Sequence, residues 1–337
     1  MGLQNPVSLS EVIDKMTPPT ISVVIATRNP DSERLREVLA ALFQQDLPAK
    51  QSEICVVDNG SDPPLRSGDF EESAKLRVVR EERPGLLAAR LCGLAHTKGH
   101  YIVFIDDDTV ANHHFLKAAV AFMEAHPQVG VAGGKIVPRY IGQPPEWMEA
   151  FTWALALRDN GPHVLEWNLS SGTNLPSWTP IGAGLLVRRA AVEPNYLLHV
   201  QTHESQIERI SWRGQGVGGV EDKDMVLHCL RAGWSIGYSP EMMITHIIPP
   251  SRMEFAYFVR ILPALGKMWA QTLHAHGFEI YPPIHPWSLP LRKLKAWILF
   301  RAWRCPANKL RWLESCGYLD GLAANCHAIR YVSTQSA

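Results

Sequence analysis

A run of apolar residues, Tyr101-Ile102-Val103-Phe104-Ile105, ends in Asp106-Asp107-Asp108. Its length and β-branched content are those of a buried central strand. Three acids have no packing reason to crowd at such an end. Neighbouring carboxylates raise one another's pKa, and burying them is costly unless something cancels the charge. A hard dication, Mg²⁺ or Mn²⁺, would do so, taking one or two Asp oxygens and completing its shell with the phosphates of a nucleotide. The alternative is a solvated turn in which one Asp caps the next helix.

The flanking pattern says what kind of sheet holds this strand. Strands are predicted at Ile21–Ala26, Ser52–Val57 and Leu76–Arg80, with helices from Asn29 to about Gln45, from Pro84 through Arg90, and from about His113 to Ala125. Strand alternating with helix at this spacing predicts an α/β fold with a doubly wound, mostly parallel sheet. Such sheets bind ligands beyond the carboxyl ends of their strands, near the point where strand order reverses. Ala26-Thr27-Arg28, Asp58 and Asp106 to Asp108 all fall at those ends, so three segments converge on one crevice.

The second half is less regular. Val129–Ile136 reads as a strand, 138–178 as a long functional loop, and Pro180–Arg189 as a strand whose Gly182 and Gly184 would admit a substrate close to the backbone. Together with Trp178 these glycines are candidates for contact with a substrate. Gly214, Gly216 and Gly219 match G-x-G-x-x-G, but follow no strand and run into Glu221-Asp222, whose charge would repel a pyrophosphate. They read as hinges of a mobile loop. Val220–Ala232 is a helix with an acidic first turn, which suits its dipole. Trp234–Tyr238 and Met242–His246 are read as two short strands, the second ending in His246.

Lys+Arg and Asp+Glu are both 33, so the balance of charge offers no case for nucleic-acid binding. Six scattered cysteines without a C-x-x-C pair favour reduced thiols in a cytoplasm over a disulfide framework. No signal peptide and no apolar run long enough to cross a bilayer is found.

In order, Val23–Asn29, Val56–Ser61, Ala89-Arg90, Phe104–Asp108 and Glu221-Asp222 resemble the family 2 glycosyltransferases of the GT-A fold, over roughly residues 20 to 250. The resemblance implies a nucleotide-binding half (21–136), an acceptor-binding half (137–250) and a helical C-terminal extension (251–337) behind an N-terminal arm (1–20). It implies that Ala26, Thr27, Arg28, Asp58 and Arg90 hold the nucleoside, and that Asp107 faces the ribose or a metal-bound water. Asp106, Asp108 and His246 would hold Mg²⁺ or Mn²⁺ against the diphosphate of a nucleotide-sugar donor, a UDP-sugar being favoured. Asp222, with Glu221 as fallback, would be the general base that activates an acceptor hydroxyl, giving inversion in a single displacement. The Q-x-x-R-W motif of processive relatives is absent, which favours single additions to a glycan or lipid-linked acceptor. The alternatives are a nucleotidyltransferase on a related sheet and a non-catalytic sugar-binding protein.

Beyond 250 the chain reads as helical. No acid occurs between Pro286 and Trp312, where seven Arg and Lys residues alternate with Trp287, Trp297, Trp303 and Trp312. That composition suits peripheral contact with an anionic membrane surface. At about 100° per residue the cations from 292 to 304 spread around a helix, which suits a solvated helical subdomain as well.

Overall fold

The computed structural model describes residues 19–70, 76–172, 174–203, 219–278 and 280–327. The expected N-terminal arm lies outside them. Strands β1 (Ile21–Thr27), β2 (Ser52–Asp58), β3 (Leu76–Arg80) and β4 (Tyr101–Asp106) form the parallel half of one sheet. The first, second and fourth are continuous apolar runs because both faces are covered. Ile21, Val23, Ile25, Val103 and Ile105 enter one buried cluster, while Val24, Cys55, Ile102 and Phe104 enter another on the opposite face. Helix α1 (Ser32–Phe43) lies on the first face through Leu35, Val38, Leu39 and Leu42, the i, i+3, i+4, i+7 stripe of an amphipathic helix. Asp31 caps it, accepting from the amides of Glu33 and Arg34. Helix α2 (Leu86–Ala95) covers the second face.

The remaining elements are β5 (Thr109–Ala111), α3 (Phe115–Ala125), β6 (Val129–Tyr140), a 3₁₀ segment (Glu146–Leu155), β7 (Leu165–Trp167) and β8 (Leu185–Arg188). After them come α4 (Arg189–Val192), α5 (Asn195–Thr202), α6 (Glu221–Arg231) and β9 (Ser235–Ile248). The order across the sheet is β3-β2-β1-β4-β8-β6-β9-β5, with β7 also paired to β9. Strand β8 runs antiparallel to β4 and β6, while the long β6–β9 ladder is parallel, so most of the paired length is parallel. The order reverses between β1 and β4. There Ala26 stands opposite Asp106, and Thr27 opposite Asp58.

Three expected strands differ. Residues 180–184 are not extended, because Gly184 turns the chain at φ +72°, a conformation that favours glycine, and only Leu185–Arg188 pairs. Conversely 235–248 is one strand rather than two. The register jumps from Gly134↔Ser239 to Lys135↔Met243, so Pro240 sits in a bulge where its missing N–H interrupts no ladder.

The C-terminal helices are α7 (Pro250–Met253), α8 (Phe255–Ala275), α9 (Leu289–Leu299) and α10 (Pro306–Ala324). Helix α8 is anchored by Phe258, Ile261 and Leu262 in the first cluster, with Trp147 edge-on to Phe258 at 5.2 Å. Among the described residues no helix is long and apolar enough to cross a membrane. The six cysteines are unpaired, four of them buried.

Candidate active site

The ends of β1 and β4, the start of α6 and the C-terminal helices enclose a cleft of about 1160 Å³. Ala26, Thr27, Arg28, Arg90, Asp106, Asp107, Asp108, Gly182, Glu221, Asp222 and His246 all line it. Segments more than a hundred residues apart therefore converge there. Gly219 lines it too, whereas Gly214 and Gly216 lie outside the described residues.

The three aspartates are not equivalent. Asp106, a third of its side chain facing the cleft, has its carboxyl raised by burial and the Asp108 charge, against the pull of Arg90 at 3.6 Å. Asp107 accepts a hydrogen bond from the Thr27 hydroxyl. Burial, with the Asp108 charge, still pushes its carboxyl up to about 6. Asp108 goes the other way. Burial would raise it, but the Arg252 guanidinium helps hold it below the usual carboxylate range.

His246 projects from β9 toward Asp108. Its Nδ1–H donates to the carbonyl of Leu155 at 2.9 Å, which leaves Nε2 with a lone pair 3.4 Å from Asp108 Oδ1. Two electron-rich atoms that close need a cation between or beside them. Here Arg252 supplies it: Nη1 donates to His246 Nε2 at 3.0 Å, and Nη2 lies 3.0 Å from Asp108 Oδ2. Two carboxylates and an imidazole nitrogen on one cleft are also the donor types that could hold a divalent cation. The donor set fits Mg²⁺ or Mn²⁺.

Across the cleft, Arg90 is buried. It lies 3.6 Å from Glu221 Oε1, donates to the Gly182 carbonyl at 3.4 Å and stacks over Phe104. Asp222 is fixed by backbone amides. Its Oδ2 accepts from Gly182 at 2.6 Å and its Oδ1 from Lys223 at 2.8 Å. Burial lowers Lys223, whose ammonium sits 4.4 Å from the Trp269 ring.

Three of the expected site residues stand off the cleft wall. Asp58 is fully buried, accepting from the amides of Ser61 and Leu65 and pairing with Arg80 at 2.6 Å. Burial raises its carboxyl and these bonds more than offset it, so it is held low. The next residue, Asn59, lines the cleft instead. Trp178 faces a small neighbouring hollow with Pro180 and Tyr238, and Gly184 is pinned to the Phe104 carbonyl at 3.0 Å. Trp153, Tyr257 and Trp269, with Tyr281, Phe300 and Tyr318, form its aromatic walls, and neither these nor Arg158 and Arg252 were among the residues expected at the site. A cation six residues beyond His246, just after Pro249-Pro250, was the one available signal for Arg252.

The family model described as Glycosyl transferase family 2 matches residues 22–178. The model described as Glycosyl transferase family group 2 matches residues 101–274, more than half of the chain. An N-acetylglucosaminyltransferase of Azorhizobium caulinodans is 24% identical over 246 residues, 68% of this chain and 55% of that protein. The chain thus spans about half the length of that relative. The succinoglycan biosynthesis protein ExoM of Rhizobium meliloti is 24% identical over 286 residues, 78% of this chain and 77% of its own. The solved mannosyltransferase PcManGT from Pyrobaculum calidifontis, in complex with GDP-Man and Mn²⁺, is 18% identical. It superimposes with a TM-score of 0.51 over 88% of this chain and 74% of its own, which shows a shared GT-A fold. With a family model over more than half of its length and that fold beneath it, the chain belongs to the family 2 glycosyltransferases.

Proposed function

We propose that this protein transfers a sugar, with inversion, from a nucleotide-diphospho-sugar to an acceptor hydroxyl in polysaccharide or glycoconjugate synthesis on the cytoplasmic side of a cell, one residue at a time. The observation that carries the reading is the convergence of Asp106, Asp108 and His246 with Asp222 on one cleft. The Azorhizobium and Rhizobium relatives, by name, add N-acetylglucosamine and build succinoglycan. The Pyrobaculum protein holds GDP-Man and Mn²⁺ on this fold.

In this mechanism Asp106, Asp108 and His246 would hold Mg²⁺ or Mn²⁺, which would supply charge stabilisation to the departing diphosphate. Arg90, Arg158 and Lys223 add fixed positive charge to the same cleft. Thr27 holds Asp107 at the nucleoside end. Asp222, oriented by the Gly182 and Lys223 amides, takes the proton of the acceptor hydroxyl as that oxygen attacks the anomeric carbon. Trp153, Tyr257 and Trp269 offer flat apolar faces to the sugars. UDP is the favoured nucleotide.

The test is a panel of nucleotide-sugars with Mn²⁺, read by release of free nucleoside diphosphate and by anomeric NMR of the product. Release of pyrophosphate, or full turnover in EDTA, would remove the mechanism.

A further inference from the structure

Helix α9 packs inward through Ala296, which is buried, and through Lys293, which reaches Asp320 at 2.6 Å. On the opposite side, roughly 160° around the helix from Ala296, lie Leu291 and Ile298, with Leu294 beside them. These side chains are 68%, 54% and 54% exposed. Polar residues belong on the outward stripe of a solvated helix, so α9 is inverted. Trp287, Leu299 and Trp303, between 59% and 72% exposed, add apolar surface at the two ends of the helix.

The surrounding charge says what covers it. Arg292, Lys295, Arg301 and Arg304 are exposed, and none has a carboxylate partner among the described residues. With no acid between Pro286 and Trp312, a second copy laid on this face would set cation against cation. Exposed Leu and Ile with Trp at the margins and cations around them match the headgroup boundary of a bilayer carrying anionic lipid.

We propose that the outward face of α9 docks this protein on an anionic membrane surface. Phe300, which follows α9, is both exposed and part of the cleft wall, as are Ile280 and Tyr281. Docking would therefore bring the cleft mouth to the bilayer and select an acceptor carried on a lipid. That last clause rests on the glycosyltransferase reading; the docking does not.

The experiment is co-sedimentation of the full chain, without donor, on phosphatidylcholine vesicles with or without about 30 mol% phosphatidylglycerol. Wild type is expected to partition at least about tenfold more onto the anionic vesicles, less so at high salt. Leu291→Ser with Ile298→Ser should lose about tenfold or more of that binding, since both methyl-rich side chains leave the interface. Its thermal midpoint should hold, because both residues point outward. If that variant is destabilised, Arg292→Gln with Arg301→Gln decides, with a several-fold loss expected. Failure of wild type to bind anionic vesicles, undiminished binding by both variants, or concentration-dependent self-association through this face in place of binding overturns the proposal.

Discussion

Arg252 and Asp108 stand 3.0 Å apart, and the same guanidinium donates to His246 at the same distance. A buried carboxylate and an imidazole lone pair are thereby satisfied by a cation borne on a side chain, in the seat we assign to Mg²⁺ or Mn²⁺. On that assignment the guanidinium and a dication would compete for one pair of ligands. Arg252→Gln should leave Asp108 short of a partner in metal-free protein and cost about 2–3 kcal/mol, less than a full buried pair because His246 remains. The thermal midpoint in EDTA should fall, and Mn²⁺ should raise it further than in wild type. Equal midpoints in EDTA would show that the pair carries no stability.

Asp222 receives two backbone hydrogen bonds and lines the cleft. Asparagine keeps an oxygen for the Gly182 amide but cannot take a proton. Asp222→Asn should therefore lower turnover by about 10²–10⁴-fold and leave the nucleotide Kd unchanged. Near-normal turnover, by nucleotide release against calorimetric binding, would move the base to Glu221.

The parallel half of the fold was legible because β1, β2 and β4 are buried on both faces and read as unbroken apolar runs closed by polar turns. The second half was not. Gly182 and Gly184 in a β-like run, and Pro240 within β9, break the local pattern for tertiary reasons. The former serve Arg90, Asp222 and a turn; the latter sits in a bulge set by the partner strand. At the site, residues at strand ends could be placed from sequence, since topology alone sends them to the crevice. Asp58 could not, because its commitment to Arg80 depends on a pairing between β2 and β3. Nor could Trp153, Tyr257 or Trp269, which reach the cleft from segments whose packing no local period encodes.

A buried histidine group gives the protein a pH limit. Asp224 is fully buried between His276 Nε2 at 2.7 Å, the Tyr196 hydroxyl at 3.1 Å and His199 Nε2 at 3.4 Å. The His228 ring packs on His199, and Arg231 lies one turn on. Burial first, then the neighbouring imidazole charges, pushes His228 down from 6.5 to about 4. Between those values the unfolded chain binds a proton that the folded chain refuses. Stability is then complete above about pH 6.5 and falls as pH drops toward 4, by about 3 kcal/mol. Asp224, held well below 3.8, adds its own loss only in stronger acid. Urea midpoints across this range should fall with pH, and His228→Gln should flatten the slope. A slope unchanged in that variant would place the proton uptake elsewhere.

Helices α8 and α10 approach backbone to backbone at Gly266 and Gly317. A Cβ on Gly317 would collide with the Pro263 carbonyl, and one on Gly266 would stand 2.7 Å from the Glu314 carbonyl. Backbone on both sides leaves nothing flexible to yield, so Gly317→Ala must push the helices apart, at about 1–3 kcal/mol. Helix α10 carries Glu314, Ser315 and Tyr318 to the cleft, while the end we assign to the nucleotide is built from β1 and β4. The variant should thus show a lower thermal midpoint and several-fold weaker acceptor KM, with nucleotide affinity preserved. A wild-type midpoint, or a loss of nucleotide binding equal to that of acceptor, would mean that this crossing does not shape the acceptor wall.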